Sequence, residues 1–115
     1  MEWTLEHGGP ESARLKLGGA LTLESAVELR EVLRQAINTV PDLVIELDRG
    51  AEADLSCLQL FCAAHRAAFS AGRKLALDPQ RPESFHLLAN AAGLCRRQGC
   101  TIDPKVRCIL SGGEA

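Results

Sequence analysis

Apolar and polar residues alternate in the first part of the chain. The alternation runs through residues 3–7 (WTLEH), breaks at the turn-prone residues 8–12 (GGPES) and resumes through residues 13–17 (ARLKL). A period of two on both sides of a turn predicts a β-hairpin, and Gly18 and Gly19 are expected to end its second strand.

A helical pattern follows the hairpin. Residues 23–38 (LESAVELREVLRQAIN) carry apolar residues at helical spacing, and Thr22 is a candidate N-cap for this first helix. Pro41 closes the connection, and the short apolar run 43–47 (LVIEL) predicts a buried strand. The residues of the first helix expected to face the core are Ala26, Leu29, Leu33 and Ile37.

A second strand-and-helix unit is predicted after this strand. Residues 48–54 (DRGAEAD) form a polar loop, and the helix that follows ends at Gly72. Residues 74–78 (KLALD) then predict another short strand, which Pro79 stops. The apolar stripe of the second helix consists of Leu58, Phe61, Cys62 and Phe69.

A third helix is predicted within residues 80–94 (QRPESFHLLANAAGL). Pro82 suits its first turn, and Gly93 fits a left-handed C-terminal cap. Alternation across residues 106–110 predicts a short final strand. The apolar face of the third helix is made by Phe85, Leu88, Ala89 and Ala92.

The order of these elements indicates the fold class. Strands that alternate with helices after a leading hairpin predict an α/β fold, a mixed sheet of four or five strands covered by helices. The length of 115 residues fits one domain. We place that domain at residues 1–110, followed by a flexible tail at residues 111–115.

Charge and composition exclude several classes of function. The 13 basic and 15 acidic residues are interleaved, which argues against a nucleic-acid partner. No apolar run approaches the roughly 18 to 20 residues that cross a bilayer, so no direct membrane insertion is expected. The first residues contain no secretory apolar region, and we expect a cytoplasmic protein whose five cysteines remain thiols.

Signatures of catalysis, cofactor binding and metal binding are missing from the sequence. It contains no glycine-rich phosphate loop, no dinucleotide-binding motif and no HExxH pair, and each of its three histidines stands alone. Cys95, Cys100 and Cys108 are separated by four and seven residues, which is not the paired spacing of structural zinc sites. We therefore expect no enzymatic activity, no cofactor and no metal.

The junction between the buried strand and the second helix, residues 53–60 (ADLSCLQL), carries the most information about function. Asp54 and Ser56 are residue types that cap helix N-termini, and a structural cap is one interpretation of both. The same position suits an anion. A phosphate on Ser56 would meet free N–H groups and the positive end of the helix dipole, although Asp54 would oppose it.

The chain resembles the STAS family, the domain of sulphate-transporter tails and of anti-sigma factor antagonists. The resemblance lies in residues 17–37 (LGGALTLESAVELREVLRQAI), 42–49 (DLVIELDR) and 53–80 (ADLSCLQLFCAAHRAAFSAGRKLALDPQ), within a match from about Leu15 to Leu94. In that family a glycine-leucine-threonine-like turn opens the first helix, which Gly19, Leu21 and Thr22 match.

The family's second motif follows the buried strand. It has the form D-S-S-G or D-S-A-G followed by L-x-x-L, and it is matched in part. Leu55 stands in place of the first serine or threonine, and Cys57 stands in place of the glycine. The residues that match in part are Asp54, Ser56, Leu58 and Leu60, the last two spaced as L-x-L.

The resemblance implies a function as well as a fold. Ser56 falls where anti-sigma factor antagonists carry their phosphorylated serine, which makes it the candidate phosphoacceptor. The implied function is that of a non-catalytic protein-interaction module in signalling, which binds an anti-sigma factor kinase or a related histidine-kinase-type partner. The candidate partner-binding residues are Asp54, Ser56, Cys57, Gln59 and Arg66.

Two alternatives to this function stay open at the level of sequence. One is a non-catalytic STAS subunit of a lipid-transport ABC complex, whose partner would be an ATPase. The other is a thiol-based redox protein, because the N-terminus of a helix can lower the pKa of a cysteine such as Cys57 and favour its reactive thiolate.

Overall fold

A computed structural model describes residues 1–80 and 82–91 of the chain. It contains a hairpin of two strands, β1 (Glu2–His7) and β2 (Ser12–Gly18), as the sequence predicts. Strands β1 and β2 pair antiparallel, with Leu5 opposite Leu15. Gly19 follows β2 with a φ of 74°, a left-handed conformation that glycine adopts without strain.

Two helices cover the sheet where the sequence predicts them. After β3 (Ala20–Leu21) and a 3₁₀ turn (Leu23–Ser25), α1 spans Ala26–Thr39 and leads to β4 (Asp42–Leu47). After β5 (Glu52–Ala53), α2 spans Leu55–Ser70 and leads to β6 (Lys74–Leu77), and α3 spans Glu83–Ala91. None of the helices in this part of the chain is long and apolar enough to cross a membrane.

The main sheet has the order β1-β2-β4-β6. Strand β4 pairs parallel with both β2 and β6, while β1 runs antiparallel at the edge. The predicted α/β architecture with a mixed four-stranded sheet is therefore confirmed. Residues 48–54 are not all loop, however, because β3 and β5 form a second small parallel sheet that pairs Ala20 with Glu52 and Leu21 with Ala53.

The core lies between the main sheet and the helices. Leu29, Leu33 and Ile37 are buried on α1 as predicted, whereas Ala26 is only half-buried. Phe61 is fully buried on α2, and its ring lies 6.1 Å from the ring of Phe85 of α3, centroid to centroid. Aliphatic side chains make up the rest of the core, which follows from the 3% aromatic content of the chain.

One residue of the predicted α2 stripe is misplaced. Phe69 is 44% exposed, because the buried line continues from Phe61 through Ala64 and Ala68 instead. Each residue rotates the helix by about 100°, so the residue after a buried Ala68 points well away from the core. Cys62 is half-buried beside that line.

Helix α2 ends in a Schellman motif. Its last helical residue is Ser70, and the predicted glycine, Gly72, lies just beyond it with a φ of 72°. The N–H of Gly72 donates to the carbonyl of Phe69 at 3.0 Å, and the N–H of Arg73 donates to that of Ala68 at 2.8 Å.

Several predictions lie outside the described residues. These are the strand at residues 106–110, the tail at residues 111–115, the Gly93 cap, Ala92, Cys95, Cys100 and Cys108.

Candidate functional site

Asp54 is the N-cap of α2. Strand β5 ends at Ala53, and Asp54 has an extended backbone from which its Oδ1 accepts hydrogen bonds from the N–H groups of Ser56, at 3.0 Å, and Cys57, at 3.3 Å. This confirms the capping role predicted for Asp54 and sets the start of α2 at Leu55.

The second oxygen of the same carboxylate reaches the other helix. Asp54 Oδ2 accepts a hydrogen bond from the backbone N–H of Leu23 at 2.9 Å. Leu23 is the first residue of the 3₁₀ turn before α1, and Thr22 makes no side-chain capping bond there. Thr22 lies at the N-cap position as predicted, but its side chain does not cap the turn, and Asp54 supplies the side-chain acceptor at both helix starts.

The β3–β5 pairing explains how one side chain reaches both helices. The N–H of Glu52 donates to the carbonyl of Gly19 at 2.9 Å, and the N–H of Asp54 donates to that of Leu21 at 3.3 Å. These bonds bring the chain before α2 alongside the chain before α1. We name the Asp54 carboxylate and its hydrogen bonds from the N–H groups of Leu23, Ser56 and Cys57 the Asp54 clamp.

The clamp favours the charged form of its carboxylate. The pKa of Asp54 is lowered, first by the hydrogen bond from the Ser56 hydroxyl and then by the bonds from the N–H groups of Leu23, Cys57 and Ser56, while desolvation opposes the shift. Asp54 therefore holds its negative charge at the two helix starts, where the dipoles stabilise it.

Ser56 is half-buried and does not cap α2. Its hydroxyl donates to Asp54 Oδ1, whereas a capping serine accepts from a helix N–H. The N–H groups of Ser56 and Cys57 are bonded to Asp54 Oδ1, and that of Leu58 to the Asp54 carbonyl at 3.3 Å. The N–H groups of Ser56, Cys57 and Leu58, which were expected to be free for a phosphate, are therefore already bonded.

Cys57 faces the core and does not reach the surface of the junction. Its side chain is 1% exposed, and burial, with a smaller contribution from the charge of Asp54, raises the pKa of its thiol to about 12. This thiol is protonated at neutral pH, which counts against a reactive cysteine. Cys57, predicted to contact a partner, is therefore not among the side chains that the junction exposes.

Gln59 and Arg66 are exposed on the outer side of α2. At about 3.6 residues per turn, they share one helix face with Leu55 and Phe69. Leu55 is 47% exposed and Phe69 is 44% exposed, so the face is apolar at both ends and polar between them. Two of the predicted contact residues, Gln59 and Arg66, therefore lie together on an accessible surface.

Two further exposed apolar residues, Leu23 and Val27, lie near the start of α1, and the sequence reasoning missed both. Leu23 is 73% exposed and Val27 is 84% exposed, and the Leu23 N–H bond to Asp54 holds the 3₁₀ turn beside the start of α2. The signal was present in the sequence, because Val27 is apolar but lies off the stripe formed by Leu29 and Leu33. We define the junction surface as Leu23, Val27, Leu55, Gln59 and Arg66.

No group of three or more His, Cys, Asp or Glu side chains that could hold a metal ion occurs among the residues the structure describes. The junction is therefore a surface of exposed apolar and polar side chains around a capped helix start.

Comparison with known proteins agrees with this fold. A family model described as "Mlab, STAS domain" matches residues 6–102. The anti-sigma factor antagonist SpoIIAA in its unphosphorylated form is similar with a TM-score of 0.66 at 18% identity, over 81% of this chain and 82% of that one. The Bacillus cell fate determinant SpoIIAA in its phosphorylated form is similar with a TM-score of 0.62 at 20% identity, over 81% and 85% of the two chains.

At these identities the two structures show a shared fold. No protein of curated function matches the sequence significantly.

Proposed function

The chain belongs to the STAS domain family, and we propose that it is a non-catalytic signalling module of the anti-sigma factor antagonist type. In this proposal it acts in the cytoplasm as a single domain of residues 1–110 and docks a kinase-type protein partner through the junction surface. The observation that carries the proposal is the Asp54 clamp, which holds exposed apolar residues from two helix starts in one place.

The composition of the junction surface supports docking on a protein. Leu23, Val27 and Leu55 are among the few large apolar side chains that the described part of the chain exposes, and exposed apolar patches mark interaction sites. Gln59 and Arg66 add polar groups beside them, in the manner of an apolar interface centre with a polar rim. Arginine is also common among the residues that dominate binding energies.

Ser56 is the proposed phosphoacceptor and regulates this surface. A phosphate there would add a charge of about −1.5 to −2 directly beside the Asp54 carboxylate. The hydroxyl hydrogen that now bonds Asp54 would be lost, and the two anions would repel. Phosphorylation would therefore loosen the Asp54 clamp and weaken docking.

The chemistry of the junction supports binding over catalysis. A nucleophile needs an adjacent base or a lowered pKa, and the thiol of Cys57 instead has its pKa raised to about 12 in the core. The hydroxyl of Ser56 donates to a carboxylate whose pKa is lowered, which makes Asp54 a poor base.

A second candidate function is that of a STAS subunit that docks permanently on the ATPase of a lipid-transport ABC complex. One observation favours it: Asp54 already accepts from the N–H groups of Ser56 and Cys57, so the start of α2 is capped without a phosphate. In this case the same junction surface contacts the ATPase, and Ser56 has no regulatory role.

Co-purification from the native cell tests the proposal and separates the two partners. The tagged protein is expected to retain a partner that mass spectrometry identifies as a kinase of the anti-sigma factor or histidine-kinase type. Val27→Asp and Arg66→Glu should each release it, whereas Ala76→Asp, on the sheet face away from the helices, should not. Recovery of an ABC ATPase would replace the first candidate by the second, and a partner that ignores both junction variants would refute docking at this surface.

A further inference from the structure

Strand β1 lies at one edge of the main sheet. It pairs with β2 on one side only, and within residues 1–80 and 82–91 no strand pairs with its other side. From this edge we infer that two copies of the chain associate through antiparallel pairing of their β1 strands, across a two-fold axis at Leu5. The inference concerns a different surface from the junction surface and does not depend on the proposed function.

The hydrogen-bond pattern of the hairpin shows which backbone groups are available. The N–H of Gly8 donates to the carbonyl of Ser12 at 3.1 Å, so these opposite residues form a hydrogen-bonded pair. Bonded and non-bonded pairs alternate along an antiparallel ladder. The backbone groups of Trp3, Leu5 and His7 therefore point away from β2, toward the free edge.

A two-fold axis at Leu5 gives hydrogen-bond partners to the outward-pointing backbone N–H and C=O groups of Trp3, Leu5 and His7. Leu5 then pairs with Leu5 of the second copy, and Trp3 pairs with His7 of the second copy, in both directions. An axis one residue earlier, at Thr4, would set His7 opposite Met1, which lies outside the strand, and Glu2 opposite Glu6. Like charges directly opposite one another destabilise a strand pair, so the register at Leu5 is favoured.

The side chains agree with this register. On the face that carries the core, Leu5 lies opposite Leu15, and Trp3 lies opposite Leu17. Pairing at Leu5 would extend this apolar layer from one copy into the next. It would also cover Trp3, which is now 45% exposed, with the His7 ring of the second copy.

On the opposite face, no like charges lie directly opposite one another in this register. Glu6 would lie opposite Thr4 of the second copy, and its carboxylate is already paired with Lys16 at 3.0 Å. The strand itself contains no proline and no lysine, the residues that commonly protect an edge from pairing. Its six residues thus form a self-complementary edge.

Light scattering over a concentration series tests the association. The unmodified protein is expected to approach twice its chain mass of 12.4 kDa as its concentration rises. Leu5→Lys places two ammonium groups face to face at the axis and should raise the dimer dissociation constant at least roughly tenfold. Ala76→Lys, on the edge strand β6, is the matched control and should leave the dissociation constant unchanged. A mass that stays at 12.4 kDa up to about 1 mM, or a dimer unaffected by Leu5→Lys, would overturn the inference.

Two cysteine variants test the register independently of stability changes. Leu5→Cys should form a covalent dimer under mild oxidation, because the Cα atoms of a bonded pair lie about 5.5 Å apart, within reach of a disulfide. Thr4→Cys should not, since its two copies are offset along the strand. The unmodified protein, with its native cysteines, sets the background. A covalent dimer from Thr4→Cys alone, or from neither variant, would rule out pairing at Leu5.

Discussion

The backbone N–H of Leu23 donates to the carboxylate of Asp54 at 2.9 Å, across 31 positions of sequence. This single bond joins the turn before α1 to the start of α2, while the other oxygen of Asp54 caps α2 itself. The carboxylate therefore stabilises two helix starts and, with them, the position of the exposed apolar residues beside each.

Asp54→Ala is expected to lower the melting temperature more than an ordinary capping substitution does. Loss of one N-cap in a domain of this size corresponds to a fall in Tm of roughly 4 to 8 °C. Asp54→Ala should exceed this fall, because it removes the acceptor at two helix starts. Asp54→Asn, which keeps one acceptor oxygen, should lie between Asp54→Ala and the unmodified protein. Thermal denaturation followed by circular dichroism measures all three, and equal Tm values would show that the Leu23 bond contributes nothing.

The contribution of Asp54 to the stability of the fold should disappear at acid pH. Its pKa in the folded protein is lowered below the value of about 3.9 in an unfolded chain. A carboxyl group of this kind stabilises the fold at pH values above its unfolded pKa and loses that contribution as the pH falls through its folded pKa. The Tm difference between the unmodified protein and Asp54→Asn should therefore be constant above about pH 5 and shrink below about pH 4. A difference that persists unchanged into strong acid would contradict the lowered pKa.

Ser56 variants distinguish regulation from a purely structural role. Ser56→Ala removes the hydroxyl bond to Asp54 and should cost about 0.5 to 1.5 kcal/mol of unfolding free energy, with partner affinity retained. Ser56→Asp places a second carboxylate beside Asp54 and should lower both stability and partner affinity. Urea denaturation and titration of the identified partner measure the two effects. Normal partner binding by Ser56→Asp would end the phosphoregulation proposal.

Two phenylalanines of α2 should respond differently to truncation. Phe61→Ala leaves a cavity in the core and is expected to destabilise the fold by about 3 to 5 kcal/mol. Phe69→Ala, eight residues along the same helix but 44% exposed, should change stability by less than about 0.5 kcal/mol. Denaturant midpoints of the two variants provide the comparison, and similar losses would mean that Phe69 is packed in solution.

Cys57 should resist alkylation at neutral pH. Its thiol is buried, and its pKa is raised to about 12, so the reactive thiolate is scarce in the folded state. Mass spectrometry of peptides after brief treatment with iodoacetamide should find Cys57 modified only when the protein is unfolded in denaturant. Cys62, which is half-buried on the same helix, provides the comparison within the native protein. Rapid alkylation of Cys57 in the folded protein would support the thiol-based redox function instead.

Local periodicity was sufficient to predict most of the secondary structure. The alternation around residues 8–12 predicted the hairpin, and the spacing of Leu29, Leu33 and Ile37 predicted the buried face of α1. Asp54 was identified as a helix cap from its residue type at a strand-to-helix junction. These features depend on neighbours within a few positions, which a sequence displays directly.

The composition of the junction depends on contacts between residues far apart in the sequence. Only the β3–β5 pairing brings Leu23 to Asp54, and no local pattern marks two strands of two residues each. The Asp54 carboxylate accepts the hydrogen bonds from the helix N–H groups, and the Ser56 hydroxyl donates to Asp54 instead. The capping role predicted for Ser56 is therefore wrong.

The sequence by itself determined the α/β order of elements and the place of the junction, because these follow from residue types and their spacing, and its motifs resembled those of the family that the comparison showed. Tertiary structure alone decided which junction side chains are accessible: Cys57 is buried in the core, while Leu23, Val27 and Leu55 are exposed. The physical reason is that burial depends on which elements pack against a residue, and here that packing is set by contacts between segments some 30 positions apart.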